Sequence, residues 1–209
     1  EWSKELARVL KDNKMMCVFG TLKYDTFLRY KLEVLNKLKD FSPQNEIVWS
    51  YNWGGRSKSN FARKHEYIWC YSKGKSFTFN GDDVRTERKQ KINIRTGEEY
   101  DKGTIPTCIW EKNNHTTSKE YCNWHPTQKP IEIMNWCFEY ADRHSKNEIK
   151  LVFDAYLGSG STMVAAHQLN RKCYGMELDP KYCQVTIDRM MKLDDGLEIK
   201  INGKPYDQN

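Results

Sequence analysis

The sequence has no long apolar run, no paired-cysteine motif and no glycine fingerprint of the common nucleotide-binding folds. No segment approaches the roughly eighteen consecutive apolar residues that a membrane-spanning helix requires. The first residues, EWSKELARVL, are charged and amphipathic, and they lack the apolar core of a signal peptide. These absences predict a soluble, intracellular protein.

The seven cysteines are odd in number and none belongs to a CxxC pair. They lie in apolar or aromatic surroundings, which is typical of reduced thiols, so we expect no disulfide framework. A zinc set would have to be assembled from Cys108, His115, Cys122 and His125. The CxxC and HxxxH pairs of structural zinc sites are absent, and we therefore predict no metal site.

The positive charge is concentrated in one segment. Across the 209 residues the net charge is +6, but residues 56–95 hold eleven Lys or Arg against four acids, a net charge of +7. Aromatic residues are interleaved with these cations: Phe61, Tyr67, Trp69, Tyr71, Phe77 and Phe79. Such a segment is typical of a surface that contacts phosphates and stacks bases. The alternative is a solvated basic face on an ordinary sheet.

Hydrophobic periodicity in the first half predicts helices around a short sheet. Residues 1–13 form an amphipathic helix, 15–20 a buried strand, and 25–40 a second helix. The apolar face of that second helix comprises Phe27, Leu28, Leu32, Leu35 and Leu38. The aromatic segments 46–51 and 66–72 are predicted to pair antiparallel. Residues 73–123 are polar without a sustained period, which predicts an inserted region that carries specificity.

The second half alternates helices and strands more regularly. A helix over 131–144, a strand over 149–156, a helix over 161–170 and a strand over 173–179 precede a last helix. Asp179 is suited to cap that helix and Pro180 to begin it. The C-terminal residues form a hairpin through Asn202-Gly203 or fray. We therefore predict one domain over 1–209, of the α/β class: a Rossmann-like, doubly wound, mostly parallel sheet with an antiparallel edge hairpin.

The turn in VFDAYLGSGSTMVAAH, residues 152–167, joins an apolar strand to a helix. Gly158 and Gly160 let a ligand approach the backbone closely at the start of the helix. Glu177 ends the next strand, 23 residues after Asp154, where an acid commonly binds ribose hydroxyls. This order predicts an adenosine-type cofactor. Neither GxGxxG nor GKS/GKT is present, so spacing alone leaves the cofactor open.

Three motifs identify a resemblance. HPTQKP (125–130), FDAYLGSGST (153–162) and MELD (176–179) together resemble the β-group amino DNA methyltransferases, which modify adenine N6 or cytosine N4 with S-adenosylmethionine. MMCVFGT and NFARKHEYIWCYSKG also occur in that family's order. The resemblance implies a class I methyltransferase fold, S-adenosylmethionine as cofactor, double-stranded DNA as partner and the cytoplasm of a bacterial or phage-infected cell. It also allows a homodimer or a cognate restriction endonuclease system.

The resemblance implies a role for individual residues. Asp154, Tyr156, Gly158, Ser159 and Gly160 would form the floor under the methionine part of the cofactor. Ser161 and Thr162 would lie beside its carboxylate at the helix N-terminus, where the helix dipole favours negative charge, and Thr127 and Lys129 would approach the same end. Glu177 would accept hydrogen bonds from the ribose. The residues that would contact DNA are Trp53, Arg56, Lys58, Arg63, Lys64 and His65, with Trp53 equally explicable as structural filler.

Two departures from the family pattern are visible. The turn reads DAYLGSGST where the family has DPF-x-GSGTT, a change that keeps side-chain size and the acid. The catalytic tetrapeptide, DPPY or SPPY, has no match, so the catalytic residues are unknown. We expect that an N-terminal catalytic segment is missing from this chain. The alternatives are a site completed by another chain and a non-catalytic, DNA-binding scaffold protein with a degenerate fold. The predicted reaction is methylation of a flipped base, with adenine favoured over cytosine.

Overall fold

The computed structural model describes residues 2–21, 25–52, 58–59, 61–74, 79, 81–112, 125, 127–144 and 148–206. The chain forms two compact units. Unit 1 comprises Glu1–Asn113 and Glu139–Glu148, and unit 2 comprises Asn114–Phe138 and Ile149–Asn209. The expectation of a single domain over 1–209 stays a prediction.

Unit 1 is built on a four-stranded sheet. Its elements are α1 (Trp2–Val9), β1 (Met15–Gly20), α2 (Asp25–Glu33), a 3-10 turn (Leu35–Lys37), β2 (Phe41–Ser50), β3 (His65–Lys73), a second 3-10 turn (Gly81–Val84) and β4 (Ile109–Glu111). The end of α3 (Ile131–Arg143) also belongs to it. The strand order is β1-β3-β2-β4, with β3 antiparallel to both neighbours and β4 parallel to β2.

The sheet confirms the predicted strand pair and extends it. β2 and β3 pair antiparallel, as residues 46–51 and 66–72 were expected to do. β2 begins earlier, at Phe41, because an irregularity between Pro43 and Asn45 lets the ladder continue past a proline. β4 was not predicted, since three residues within a polar region give no periodic signal. It is fixed to β2 by Trp49, whose indole Nε1 donates to the Lys112 carbonyl at 2.7 Å.

One hydrophobic cluster in the core of unit 1 consists of these buried side chains: Met16, Leu35, Leu38, Phe41, Trp69 and Tyr71. Trp2, Leu6 and Leu10 of the first helical segment pack against it, as their helical spacing predicted. Lys73 fastens that segment to the sheet, because its ammonium donates to the carbonyls of Ala7 and Leu10 at 2.7 and 2.5 Å. The α1 helix therefore covers one face of this sheet.

The second predicted helix is shorter than expected and presents a different face. It ends at Glu33 and is followed by the 3-10 turn, so the prediction of one helix over 25–40 was wrong. Leu28 and Leu32 remain exposed. The helix contacts the unit through Tyr30, which stacks on Trp2 at 5.5 Å, and through Lys31, which pairs with Glu46. Only Leu35 and Leu38 of the expected apolar face reach the core.

Unit 2 contains the second set of predicted elements. They are the start of α3, β5 (Leu151–Asp154), α4 (Ser161–Gln168), β6 (Lys172–Gly175), α5 (Pro180–Leu193), β7 (Lys200–Ile201) and β8 (Lys204–Pro205). β5 and β6 pair in parallel, with Asp154 opposite Gly175. Val164, Ala165 and Ala166 of α4 are buried, as is Val185 of α5. The two carboxyl-terminal ends of β5 and β6 therefore meet at one edge.

Two local predictions in unit 2 are confirmed. Asp179 caps α5 by accepting from the Lys181 N–H at 2.9 Å, and Pro180 is the first helical residue. β7 and β8 form the hairpin through Asn202-Gly203, whose φ angles are 53° and 79°.

None of the helices in the described ranges has both the length and the apolar character that crossing a bilayer requires. The six cysteines in those ranges are free thiols. No metal-holding group of His, Cys, Asp or Glu side chains occurs in the described part of the chain. His115 and Cys122 of the zinc set weighed above lie outside it.

Candidate functional site

The candidate site is the turn between β5 and α4, and Asp154 organises its beginning. The carboxylate of Asp154 accepts the Tyr156 N–H at 2.9 Å through Oδ1 and the Thr162 hydroxyl at 2.6 Å through Oδ2. One acid thus joins the end of the strand to the first turn of the helix. The Leu157 N–H donates to the Met176 carbonyl at 2.9 Å, which ties the turn to the segment after β6.

Backbone conformation and steric contact with neighbouring side chains both require glycine at positions 158 and 160. Gly158 and Gly160 have φ angles of +55° and +78°, which L-residues with side chains rarely adopt. A Cβ on Gly158 would lie 2.8 Å from His125 Nε2, and one on Gly160 would lie 2.7 Å from Thr186 Cγ2. Each distance is below any ordinary carbon contact, so neither position accepts a side chain without movement of its neighbour.

Glu177 lies directly at this turn. Its Oε2 accepts the Gly158 N–H at 2.7 Å, and its Oε1 accepts the N–H groups of Leu178 and Asp179 at 2.8 and 2.9 Å. The hydrogen bond from Asp179, followed by those from Gly158 and Leu178, holds the pKa of Glu177 below its usual value, against a smaller opposing effect of burial. Glu177 is therefore an ionised acceptor at neutral pH.

The HPTQKP segment meets the start of α4 through Lys129. The buried Ser161 hydroxyl donates to the Lys129 carbonyl at 2.7 Å. The Lys129 ammonium lies 3.2 Å from the Thr127 carbonyl, and the Thr127 N–H donates to His125 Nδ1 at 3.3 Å. The N-cap of α4 is Gly160, which has no side chain to accept hydrogen bonds from the first amides of the helix.

Three residues at the site were missed by sequence reasoning. His125 packs its ring against Gly158 and lies 4.5 Å from the Tyr182 ring, centroid to centroid. Thr186 donates its hydroxyl to the Gly158 carbonyl at 3.3 Å. Arg189 donates to the Ser159 carbonyl at 2.5 Å. The HPTQKP motif marks His125, but no local signal marks Thr186 or Arg189, because their contacts depend on how α5 packs.

The electrostatics around His125 favour its neutral form. Burial, then the nearby Lys129 charge and more weakly Arg189, lower the pKa of His125, while Glu177 opposes them. Because Nδ1 accepts the Thr127 N–H, the neutral ring carries its proton on Nε2, which is therefore a donor beside Gly158.

Every residue predicted for the cofactor lies in unit 2, and the structure brings most of them together. Ser159, Gly160 and Ser161 are buried, whereas the side chain of Tyr156 is 64% exposed. Tyr156 therefore borders the turn through its backbone, and its ring lies at the surface. The assignment of all ten residues to a cofactor stays a prediction.

The residues predicted to contact DNA lie in unit 1. Trp53 and Arg56 fall outside the described residues. Lys58, Arg63 and Lys64 are exposed, and His65, at the start of β3, is half-buried and packs edge-on to Tyr67 at 5.3 Å. The Lys64 ammonium donates to the Asn52 carbonyl at 2.6 Å, and Arg63 contacts the Thr21 hydroxyl at 3.3 Å.

The interleaved aromatics do not all belong to a stacking surface. Trp69 and Tyr71 are 1% exposed and form part of the core of unit 1, so they are excluded as base-stacking residues. Their strand alternates between two covered faces, which places them inside despite the neighbouring charges. Phe61 is fully exposed and Phe79 is 45% exposed, and these two stay available at the surface.

Comparison with known proteins decides the family. The DNA methylase family model, named for N6 and N4 methyltransferases, matches residues 1–188. The chain belongs to the amino DNA methyltransferase family. The matched range therefore includes residues of both units, from α1 into α5.

Two characterised relatives have similar levels of identity. The type II methyltransferase M.HpaI of Haemophilus parainfluenzae is 28% identical over 195 residues, which are 91% of this chain and 57% of that protein. The DNA adenine methyltransferase YhdJ of Escherichia coli K12 is 28% identical over 196 residues, 89% of this chain and 63% of that protein. The chain thus spans about three fifths of the length of these two relatives.

Solved structures establish the fold. The PvuII DNA methyltransferase, cytosine-N4-specific, superimposes with a TM-score of 0.68 at 16% identity, covering 94% of this chain and 70% of that one. The M1.HpyAVI–SAM complex gives 0.60 at 22% identity, covering 90% and 80%. These matches confirm the class I, Rossmann-like methyltransferase fold predicted from the sequence.

Proposed function

We propose that the protein transfers a methyl group from S-adenosylmethionine to an exocyclic amino nitrogen of a flipped base in double-stranded DNA. Adenine N6 is the favoured target. The turn of unit 2 would bind the cofactor, and the basic segment of unit 1 would bind DNA phosphates. S-adenosylmethionine would supply an electrophilic methyl group on its sulfonium: the S–CH3 bond would break as the N–C bond forms, S-adenosylhomocysteine would leave, and the proton lost by the amine would pass to solvent.

The observation that carries this proposal is the joint position of Glu177 and the uncapped start of α4 on either side of one glycine turn. Glu177 Oε2 lies 2.7 Å from the Gly158 N–H, and Ser161 begins the helix three residues later. An acceptor for sugar hydroxyls and a helix N-terminus suited to a carboxylate therefore flank the same short stretch of backbone. A nucleoside joined to an amino acid has these two groups at its opposite ends.

The residues present fit this cofactor. A carboxylate offers about four lone-pair directions, and described backbone groups use three of those of Glu177, two at Oε1 and one at Oε2. One direction at Oε2 remains for a ribose hydroxyl. The lowered pKa keeps the group ionised, and therefore an acceptor only, at neutral pH.

Adenine is favoured over cytosine by one relative. YhdJ is named a DNA adenine methyltransferase and shares 28% identity over 89% of the chain. M.HpaI is named a type II methyltransferase, which supports a restriction–modification context. We extend the proposal accordingly to a bacterial or phage-infected cytoplasm, with a cognate endonuclease or a homodimer as further partners.

Calorimetric titration with S-adenosylhomocysteine tests the pocket. The wild-type chain is expected to bind, and Glu177→Gln is expected to weaken binding about tenfold, because an amide places a donor opposite a backbone donor. Glu198→Gln is the matched control, since Glu198 is exposed in the same unit and pairs with Lys200. Absence of wild-type binding at millimolar ligand would refute the cofactor assignment.

Methyl incorporation tests the reaction. Duplex DNA is incubated with labelled S-adenosylmethionine and either this chain or the product of the open reading frame that contains it, then digested to nucleosides. N6-methyladenine is the expected product, and N4-methylcytosine would overturn the favoured base. Cofactor and DNA binding with no methylated nucleoside from either protein would instead identify a non-catalytic scaffold.

A further inference from the structure

We propose that Arg189 is a positioning residue that sets the affinity of the cofactor pocket for the amino-acid end of its ligand. The inference rests on the proposed function, because it concerns the same turn. It goes beyond that function in assigning a role to a side chain of α5, which contains none of the predicted cofactor residues.

The geometry places one guanidinium nitrogen beneath the turn. Arg189 Nη1 lies 2.5 Å from the Ser159 carbonyl oxygen, 3.2 Å from Ser159 Oγ and 3.4 Å from Ser161 Oγ. Ser159 and Ser161 are only 3% and 6% exposed. A cation that shares its donors among three buried oxygens fixes the orientation of that peptide more firmly than a neutral donor would.

The hydrogen bonds of Arg189 to Ser159 and Ser161 lie at one end of the turn. Ser161 is the first residue of α4, and its hydroxyl also donates to the Lys129 carbonyl at 2.7 Å. Arg189 therefore supports the junction of the HPTQKP segment with the helix N-terminus. The other end of the turn, at the Gly158 N–H, is held by Glu177 instead. Loss of Arg189 should thus change the helix end and leave the ribose end in place.

The positive charge of Arg189, like its hydrogen bonds, should favour binding of a carboxylate at the start of α4. The uncapped amides of α4 attract an anion, and a guanidinium close behind Ser161 adds a full positive charge to that local field. A ligand that carries a carboxylate should therefore benefit from Arg189, and an analogue without that carboxylate should not.

Two ligands distinguish this role from general support of the fold. S-adenosylhomocysteine carries the amino-acid group, whereas 5′-methylthioadenosine keeps the adenosine and the sulfur without it. We expect Arg189→Met to weaken S-adenosylhomocysteine about tenfold or more, and 5′-methylthioadenosine less than twofold. Arg189→Lys should recover part of the loss, since it restores the charge without the planar fork.

Lys192→Met is the matched control, because it removes one positive charge from an exposed position on the same helix. It should leave both affinities unchanged. Equal weakening of the two ligands by Arg189→Met, or no weakening of either, would overturn the inference while the proposed function stands. If Arg189→Met does not fold by circular dichroism, Arg189→Lys decides by the same ratio of affinities. If the wild-type chain binds neither ligand, the proposed function fails as well.

Discussion

Substitution of Gly160 by alanine tests whether the turn is held as tightly as its contacts indicate. The φ of +78° costs an L-residue about 1–2 kcal/mol. The new Cβ would also lie 2.7 Å from Thr186 Cγ2 and 2.8 Å from its Oγ1, and overpacking of this kind costs about 1–3 kcal/mol. The free energy of unfolding should therefore fall by about 2–5 kcal/mol. At the middle of that range, the melting temperature falls by roughly 7–14 °C.

Two further variants separate the backbone cost from the steric cost. Gly203 has a φ of +79° with nothing within 4 Å of its Cβ position, so Gly203→Ala should show the backbone cost alone. Thr186→Ala removes both atoms that crowd Gly160, and the double variant should recover the steric part in a double-mutant cycle. Urea unfolding measures the wild type, the three single variants and the double variant. Strict additivity of the two single changes, or equal costs for Gly160→Ala and Gly203→Ala, would refute the reasoning.

Three other outcomes are expected. Ser161→Ala should lower the free energy of unfolding by about 1–3 kcal/mol in urea, because the Lys129 carbonyl loses the donor that the buried Ser161 supplies; no change would mean that water replaces the hydroxyl. Burial lowers the pKa of both His125 and His144. Their contribution to the free energy of unfolding should therefore be fully present above about pH 6.5 and decline at lower pH, where the unfolded chain takes up protons first. The His125→Asn, His144→Asn double variant should flatten that decline in urea titrations. Arg63→Ala and Lys64→Ala, each made alone, should reduce the salt dependence of DNA binding by about one counterion in fluorescence anisotropy, whereas Lys11→Ala, which removes the same single charge from an exposed position, should not.

Local chemistry was predictable where one residue type has a strong positional preference. Asp179 and Pro180 begin α5 because a side-chain acceptor and a fixed φ suit that position, and Asn202-Gly203 forms a turn that demands positive φ twice. The strand pair of β2 and β3 followed from aromatic and β-branched composition. These features depend on neighbours in the sequence, which the sequence displays directly.

The predictions that were wrong concern burial, which depends on residues that are distant in the sequence. Leu28 and Leu32 have helical spacing, yet they stay exposed because Tyr30 and Lys31 make the contacts of α2 with the sheet. Tyr71 lies among cations in the sequence and was grouped with the base-stacking aromatics, yet it belongs to the core. In each case tertiary packing determines which side chains are buried, and local periodicity does not encode that packing.

In the glycine turn, local backbone conformation and contacts with distant residues both require glycine. The sequence predicted that Gly158 and Gly160 allow close approach of backbone, but it did not predict what approaches. The His125 ring occupies the space beside Gly158, and Thr186 occupies the space beside Gly160. The need for glycine is therefore imposed twice, once by a positive φ and once by residues 33 and 26 positions away in the chain. Because the conformational cost would persist even if both neighbours were small, relaxing His125 or Thr186 alone cannot free these positions from glycine.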